Sequence, residues 1–490
     1  MIRTRLAPSP TGEPHIGNLY TALINYAFAK GRGGKFILRI EDTDRERFVA
    51  DAEGKIIAAL HWLGIEPDEG PYQGGPYGPY RQSERLGLYE AKAQELVAQG
   101  RAYYCFCSPS RLAALRQEQQ RRGEQPRYDR HCRDLDPAEV QKRLEQGEAY
   151  VIRLKVPLRG ETSFVDQLRG KITFQNRLLD DQILLKSDRY PTYHLAVVID
   201  DHLMRISHVI RAEEWISSTP KQVLLYRAWG WEEPQFIHLP LLRNPDGSKL
   251  SKRRNPVSLF WYRDQGFLPA ALKNYLLRLG WSHPEGKEVF SFDEFIRLFR
   301  LERLSTTAPI FDLQKLIWLN GVYLREKISE NEYQKYFFRF VPPAYLDSPG
   351  GRDKLERLAH LLRERIKYFA EIPALIEYFF QPIEVSASFL TAETKGEKEK
   401  ARAMLVAAVA ELEGVAKWAT AELENKLRSL VETRGWKKRV FFMTLRRAAT
   451  GQTATPPLFD TLEVLGRDLT LTRLRHAASL LEKEDRGIKS

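Results

Sequence analysis

Residues 2–44 read IRTRLAPSPTGEPHIGNLYTALINYAFAKGRGGKFILRIEDTD. Positions 2–7 have the alternation of a strand, and the Pro-rich residues 8–14 form a loop. Leu19, Ala22, Leu23, Tyr26, Ala27 and Lys30 then share one face at helical spacing, and Gly31, Gly33 and Gly34 end that element. Phe36, Ile37, Leu38 and Ile40 form the near-continuous apolar run of a strand buried on both faces, as in parallel sheets. The stretch therefore predicts a βαβ unit. Such units bind ligands at the carboxyl ends of their strands and at the helix N-terminus, where His15, Gly17 and Glu41 fall.

Further along, residues 86–99 and 137–146 read as helices, a Cys-containing stretch lies between them, and residues 150–156 look like an antiparallel strand. An inserted α+β domain is expected over 86–190. Strand-like runs return at 195–199 and 206–210, and Ser218, Thr219 and Pro220 carry the N-cap and first-turn chemistry of another helix. The α/β domain is thus expected to be split between 1–85 and 191–250, with a further domain over 251–325. Beyond about residue 325 helical stripes dominate, for example Ala401, Met404, Leu405, Ala408, Val409 and Leu412. Two all-helical pieces, 326–385 and 386–490, are expected there.

A chain of 490 residues exceeds a single hydrophobic core and calls for about three to five domains. Its 43% hydrophobic and 29% charged residues describe a soluble globular protein, not a disordered one. Lys and Arg number 76 against 64 Asp and Glu, and the net charge of +12 favours a polyanionic partner. The first residues lack a signal-peptide pattern, and no apolar run approaches the ~18 residues of a membrane span, so a cytoplasmic protein is expected. The three cysteines lie between Cys105 and Cys132, which suits a metal better than a disulfide framework.

Two motifs bear on chemistry. In the first, Pro8, Ser9, Pro10, Thr11 and Gly12 lead into Pro14, His15, Ile16, Gly17 and Asn18 at a helix start. A lone histidine there is usually structural. Beside Gly17, with free helix N–H groups and the helix dipole, it predicts a phosphate site that is not a P-loop. The second motif is Lys249, Leu250, Ser251, Lys252 and Arg253, preceded by the flexible-looking Asn244, Pro245, Asp246 and Gly247. By itself such a run is a solvated charged face; paired with the first motif, its two lysines become mobile charges for a triphosphate.

Together the motifs resemble the His-Ile-Gly-His and Lys-Met-Ser-Lys-Ser signatures of class I aminoacyl-tRNA synthetases, with Asn18, Leu250 and Arg253 as the departures. Residues 5–12, 40–44, 190–194, 209–215 and 249–253 look closely like the bacterial glutamyl-tRNA synthetase family, and the resemblance spans essentially the whole chain. It implies a multidomain protein: a split Rossmann-type α/β catalytic domain, an inserted α+β domain that binds the acceptor end, a stem-contact domain over 251–325, and all-α anticodon-binding domains. It also implies ATP-dependent ligation of L-glutamate to tRNA(Glu), with Mg²⁺, in a monomer that contacts no membrane.

The same resemblance implies roles for single residues. Arg5 and Tyr193 would hold the glutamate side-chain carboxylate, with Ser9 also in the glutamate site, Glu41 on the ammonium group and Arg211 on a carboxylate. Pro10, His15, Gly17, Glu214, Leu242, Lys249, Ser251 and Lys252 would meet ATP, and His15, Lys249 and Lys252 would stabilise the transition state. Relatives carry Asn next to this Tyr or four residues beyond it; here those positions are His194 and Val197. Cys105, Cys107, Tyr128 and Cys132 match a family zinc pattern, although Asp134 stands where some relatives have His. Arg365 lies where relatives that reject tRNA(Gln) carry an Arg, which implies contact with the third anticodon base. Two other readings are a small-molecule nucleotidylyltransferase and a non-catalytic tRNA-binding relative. The long helical part and net charge disfavour the first, and His15, Lys249 and Lys252 disfavour the second.

Overall fold

A computed structural model describes residues 1–250 and 256–486. Ser251, Lys252 and Arg253 of the second motif lie outside the described residues. The chain divides into two compact units, Met1–Arg263 with Pro269–Leu316, and Asp264–Leu268 with Ile317–Ser490.

The first unit holds nine described strands: β1 (Arg3–Leu6), β2 (Lys35–Leu38), β3 (Ala102–Cys105), β4 (Val151–Leu154), β5 (Glu161–Asp166), β6 (Gly170–Gln175), β7 (Ile183–Leu185), β8 (His208–Ala212) and β9 (Gln235–Leu239). β1 and β2 run parallel, joined by the helix Ile16–Lys30, and β8 and β9 run parallel, joined by the helix Thr219–Trp229. The backbone N–H of Ser207 donates to Arg3 O at 3.0 Å, which sets β8 beside β1. Two βαβ units distant in sequence thereby form one α/β layer, whose strands end at a common edge. β5 joins that layer through the parallel pairing of Asp166 with Phe236, and β6 pairs antiparallel with β5. A separate antiparallel sheet, β3–β4–β7, packs on the helix Leu86–Ala98.

Two expectations change. Residues 195–199, read as a strand, belong to the helix Tyr193–Leu203; Leu195, Ala196, Val197, Val198 and Ile199 are all buried. An apolar run buried all round has no periodicity to separate helix from strand. Ser218 does not cap the Thr219–Trp229 helix with its side chain, because the preceding residues Glu213–Ser218 already form a 3-10 turn.

In the second unit every described regular element is helical. The helix Lys398–Glu413 buries Ala401, Met404, Leu405, Ala408 and Leu412, packing against Arg467–Arg486, while Val409 of the expected stripe is only partly covered. The helix Glu330–Phe340 opens on a capping box in which Ser329 and Glu332 exchange hydrogen bonds.

Candidate active site

At the carboxyl edge of the α/β layer lies a cavity of about 380 Å³, in the size range of small-molecule sites. The predicted residues Arg5, Ser9, Glu41, Tyr193, Arg211 and Glu214 all line it. They arrive from the end of β1, the loop after it, the segment after β2, the start of the Tyr193–Leu203 helix, β8, and the turn after β8. His194 and Val197 are not in its lining. Burial, with Lys221 and Arg211 nearby, pushes His194 down to about 4, so it is neutral; Val197 belongs to the core.

The electrostatics of the cavity floor are uneven. Arg5 Nε and Nη2 grip Asp201 Oδ1 and Oδ2 at 3.1 and 3.2 Å, and its Nη1 has no protein partner among the described residues. Arg39, fully buried, bridges Asp201 at 2.7 Å and Glu41 at 3.0 Å, while Arg85 lies 2.8 Å from Asp200. Burial alone lowers the pKa of the Arg5 guanidinium, but Asp201 reverses this and holds it above its ordinary value. Burial raises Glu41 above the usual carboxylate range, against the pull of Arg39. Burial also lowers Arg211, whose nearest polar contacts are the neutral groups Tyr193, Thr219 and His238. In formal charges, Arg5, Arg39 and Arg211 outnumber Glu41 and Asp201 by one, and Arg85 and Asp200 cancel. A ligand with two carboxylates and one ammonium group balances the set, with guanidinium forks for the carboxylates and Glu41 for the ammonium.

The phosphate motifs sit differently from expectation. His15 is the N-cap of the helix Ile16–Lys30, and its Nδ1 accepts the Gly17 N–H at 3.1 Å, so the neutral ring carries its proton on Nε2. Ile16 N donates to Val257 O at 2.9 Å, and Asn18 N to His15 O at 2.9 Å. The free N–H groups expected at this helix start are therefore already satisfied within the protein. A Cβ on Gly17 would come within 3.3 Å of His15 Nδ1, so glycine here keeps the capping ring in place. Pro10 is buried, and its carbonyl accepts the Val49 N–H at 3.0 Å. Residues 244–247 form a hydrogen-bonded turn rather than a loose loop: Asn244 N donates to Ser248 O at 2.8 Å, and Leu250 N to Leu242 O at 3.2 Å. This turn carries Lys249 to Glu214, Nζ to Oε2 at 2.7 Å, which brings the second motif to the rim of the cavity.

Elsewhere in the first unit the four residues of the cysteine pattern converge. The three sulfurs lie within 4.8 Å of one another, and the Tyr128 hydroxyl is 3.3 Å from Cys105 Sγ and 3.7 Å from Cys107 Sγ. Three thiols and a phenol oxygen suit a tetrahedral zinc ion. Asp134 turns away to Lys155 at 3.2 Å, and Arg111 Nη1 lies 3.5 Å from Cys107 Sγ.

In the helical unit Arg365 lies on the turn after the helix Gly351–Leu362. The chain turns there because Glu371 accepts the N–H groups of Lys367 and Tyr368. Arg363 clamps Leu324 O, Ile328 O and Glu330, whereas Arg365 is exposed and makes no side-chain bond among the described residues. Its charge falls with those of Arg446 and Arg473 around the buried ring of Tyr378. A second cavity of about 390 Å³ in this unit is largely apolar, lined by Phe379, Phe380, Ile383 and Leu469, and has Arg473 at its wall.

Residues 1–318 match the catalytic-domain model of the class I tRNA synthetases (E and Q), and residues 332–478 match an anticodon-binding domain. The chain belongs to the class I tRNA synthetases. It is 47% identical to a glutamate–tRNA ligase of Acidothermus cellulolyticus over 98% of this chain and 96% of that one. It is 48% identical to one from Thermus thermophilus, over 97% and 100%. A crystal structure of a glutamate tRNA ligase from Elizabethkingia meningosepticum, in complex with its amino acid, superposes with a TM-score of 0.88 at 35% identity, covering 98% and 99%.

Several residues that shape this synthetase cavity are not in either signature motif. Arg39, Asp201, Asp166 and His238 sit behind the lining and hold it. Their one sequence signal is a charged or titratable side chain inside an apolar run, as in FILRI, AVVIDD and QFIHL.

Proposed function

We propose that the chain ligates L-glutamate to tRNA(Glu) through a glutamyl-adenylate, releasing pyrophosphate and then AMP. The observation that carries this is the buried cavity in which Arg5 and Arg211 face Glu41 with one positive charge in excess. In the first step the glutamate α-carboxylate attacks the ATP α-phosphorus and pyrophosphate leaves. In the second a terminal adenosine hydroxyl of the tRNA displaces AMP. No covalent nucleophile is needed; Arg5, Tyr193 and Ser9 orient the side chain, Glu41 the ammonium and Arg211 a carboxylate. Pro10, Gly17, Glu214, the Leu242 backbone and Ser251 border ATP, and His15, Lys249 and Lys252 meet the charge that grows on the leaving phosphates, where Mg²⁺ adds further positive charge. Glutamine, lacking the side-chain charge, leaves the cavity unbalanced, a penalty that can reach ~10⁴ in discrimination without editing. Aminoacylation with glutamate and with glutamine, on tRNA(Glu) and tRNA(Gln), tests the proposal; glutamine charged as well as glutamate overturns it.

The same reading gives 86–190 to the acceptor end, 251–325 to the stem, and 326–385 and 386–490 to the anticodon. We place the protein in the cytoplasm as a monomer; no described helix is long and apolar enough to cross a membrane.

Cys105, Cys107, Cys132 and Tyr128 would hold one structural zinc ion, whose binding supplies folding free energy to the segment around β3 and β4. Protein purified without chelator should contain one zinc per chain, and its removal should lower Tm. Metal analysis that finds no zinc overturns the assignment.

Arg365 would read the third anticodon base; what supports this is that it is exposed, makes no side-chain bond among the described residues and is backed by two further arginines. A guanidinium donates to cytosine O2 or N3 and meets donors on the wrong base. Arg365→Gly should raise charging of tRNA(Gln) relative to tRNA(Glu) by ~10-fold, in line with ~1 to 3 kcal/mol per misread base. A phosphate contact would instead lower both rates equally, so an unchanged ratio of the two kcat/KM values refutes base reading.

A further inference from the structure

Arg211 is buried, and among the described residues no carboxylate is in direct contact with it. Nη1 donates to the Tyr193 hydroxyl at 3.3 Å and Nη2 to Thr219 Oγ1 at 2.9 Å. Nε donates to His238 Nε2 at 3.1 Å. Of the five guanidinium N–H bonds, one on each terminal nitrogen remains for a ligand in the cavity.

An arginine always donates, so His238 must accept at Nε2 and carry its proton on Nδ1. The structure supplies the reason for that tautomer. Asp166 Oδ2 accepts from His238 Nδ1 at 2.7 Å and from the His238 backbone N–H at 3.0 Å. Its other oxygen accepts the N–H groups of Leu168 and Arg169 at 2.9 and 3.0 Å, so the carboxylate cannot turn. Asp166 ends β5 and His238 lies in β9, and the β5–β9 pairing at Asp166 and Phe236 fixes their spacing. The imidazole packs beside Phe164 and Phe236, ring centroids 6.1 and 6.3 Å away, and is fully buried. Burial holds it below the usual histidine range, in opposition to Asp166, so it stays neutral and does not become a second donor against Arg211.

We propose that His238 is a positioning residue for glutamate recognition: fixed by Asp166 as the Nδ1–H tautomer, it offers Nε2 to Arg211 and aims the guanidinium at the substrate carboxylate. The use of a neutral acceptor has a purpose. A carboxylate at this position would cancel the Arg211 charge that the substrate must meet, whereas an imidazole orients the guanidinium and leaves its charge unspent. The proposal rests on the assignment of Arg211 to a glutamate carboxylate.

The test compares three variants in aminoacylation of tRNA(Glu), with KM measured for glutamate, ATP and tRNA. His238→Asn keeps a donor near Asp166 but is too short to accept from Arg211. It should raise KM for glutamate about 10- to 100-fold, the range for a charged donor left unsatisfied, with KM for ATP and tRNA within about twofold. His238→Gln places an amide oxygen near the Nε2 position and should recover most of the loss, to within about threefold of wild type. His238→Met has the same length without the acceptor, and should behave like His238→Asn even if the shorter variant fails to fold. A purely structural histidine predicts a different pattern: lower Tm in all three, with KM for glutamate unchanged or all three KM values raised together. Either result overturns the proposal. Wild-type protein that charges no glutamate overturns the functional reading and the proposal together; a wild type that charges, with variants of unchanged KM, overturns the proposal alone.

Discussion

Arg5→Gln should lower kcat/KM for glutamate by ~10³, with KM for ATP changed only a few-fold, because breaking a buried ion pair costs about 3 to 5 kcal/mol. The substitution removes the cation that faces the cavity through Nη1 and takes the excess positive charge to zero. Asp201 still has Arg39 at 2.7 Å, so the floor keeps one of its two clamps and the chain should fold. Loss of the charge also removes the main penalty against an uncharged side chain, so the glutamate preference over glutamine should shrink along with the rate. Steady-state aminoacylation with both amino acids measures both effects. A variant that charges glutamate at the wild-type rate would place the side-chain carboxylate elsewhere, and a variant that loses glutamate and ATP affinity alike would mark Arg5 as structural.

The catalytic half of the fold was legible because its signals are local. The strand, Pro-rich loop, helix and apolar strand of residues 2–40 each obey a single periodicity, and β1, the helix Ile16–Lys30 and β2 appear where that periodicity places them. The helix Tyr193–Leu203 was misread for the opposite reason, since burial on every side erases the polar stripe that would identify it. The cavity's front was reached by two routes: the βαβ pattern put Glu41 at a strand end, while Arg5, Tyr193 and Arg211 came from the family resemblance, and all four line the cavity. Its back was not. Asp201 meets Arg5 and Arg39 from 196 and 162 residues away, and Asp166 reaches His238 across 72, distances over which no spacing rule operates. The helix start at His15 failed in a subtler way. The motif predicts open N–H groups, but the histidine that marks the site also caps the helix, and residue 257 covers another donor from a distant part of the chain.

Lys252→Ala should lower pyrophosphate exchange, assayed with tRNA present, by ~10², and leave tRNA affinity near wild type. Lys252 lies outside the described residues, so the expectation is built from what surrounds it. The turn of residues 242–250 is pinned by its own hydrogen bonds, and Lys249 at its end is held by Glu214, which lines the cavity. With Lys249 in an ion pair, its charge is partly spent before ATP arrives, so the larger share of the work on a leaving pyrophosphate is expected of Lys252. Charge on the β and γ phosphate oxygens grows only as the α-phosphorus bond breaks, so a lysine that meets it there acts on the rate and not on ground-state binding. The signature is therefore a fall in exchange rate with KM for ATP nearly constant. A fall in tRNA affinity of similar size would make Lys252 a backbone contact for the nucleic acid, and a wild-type exchange rate would remove it from the mechanism.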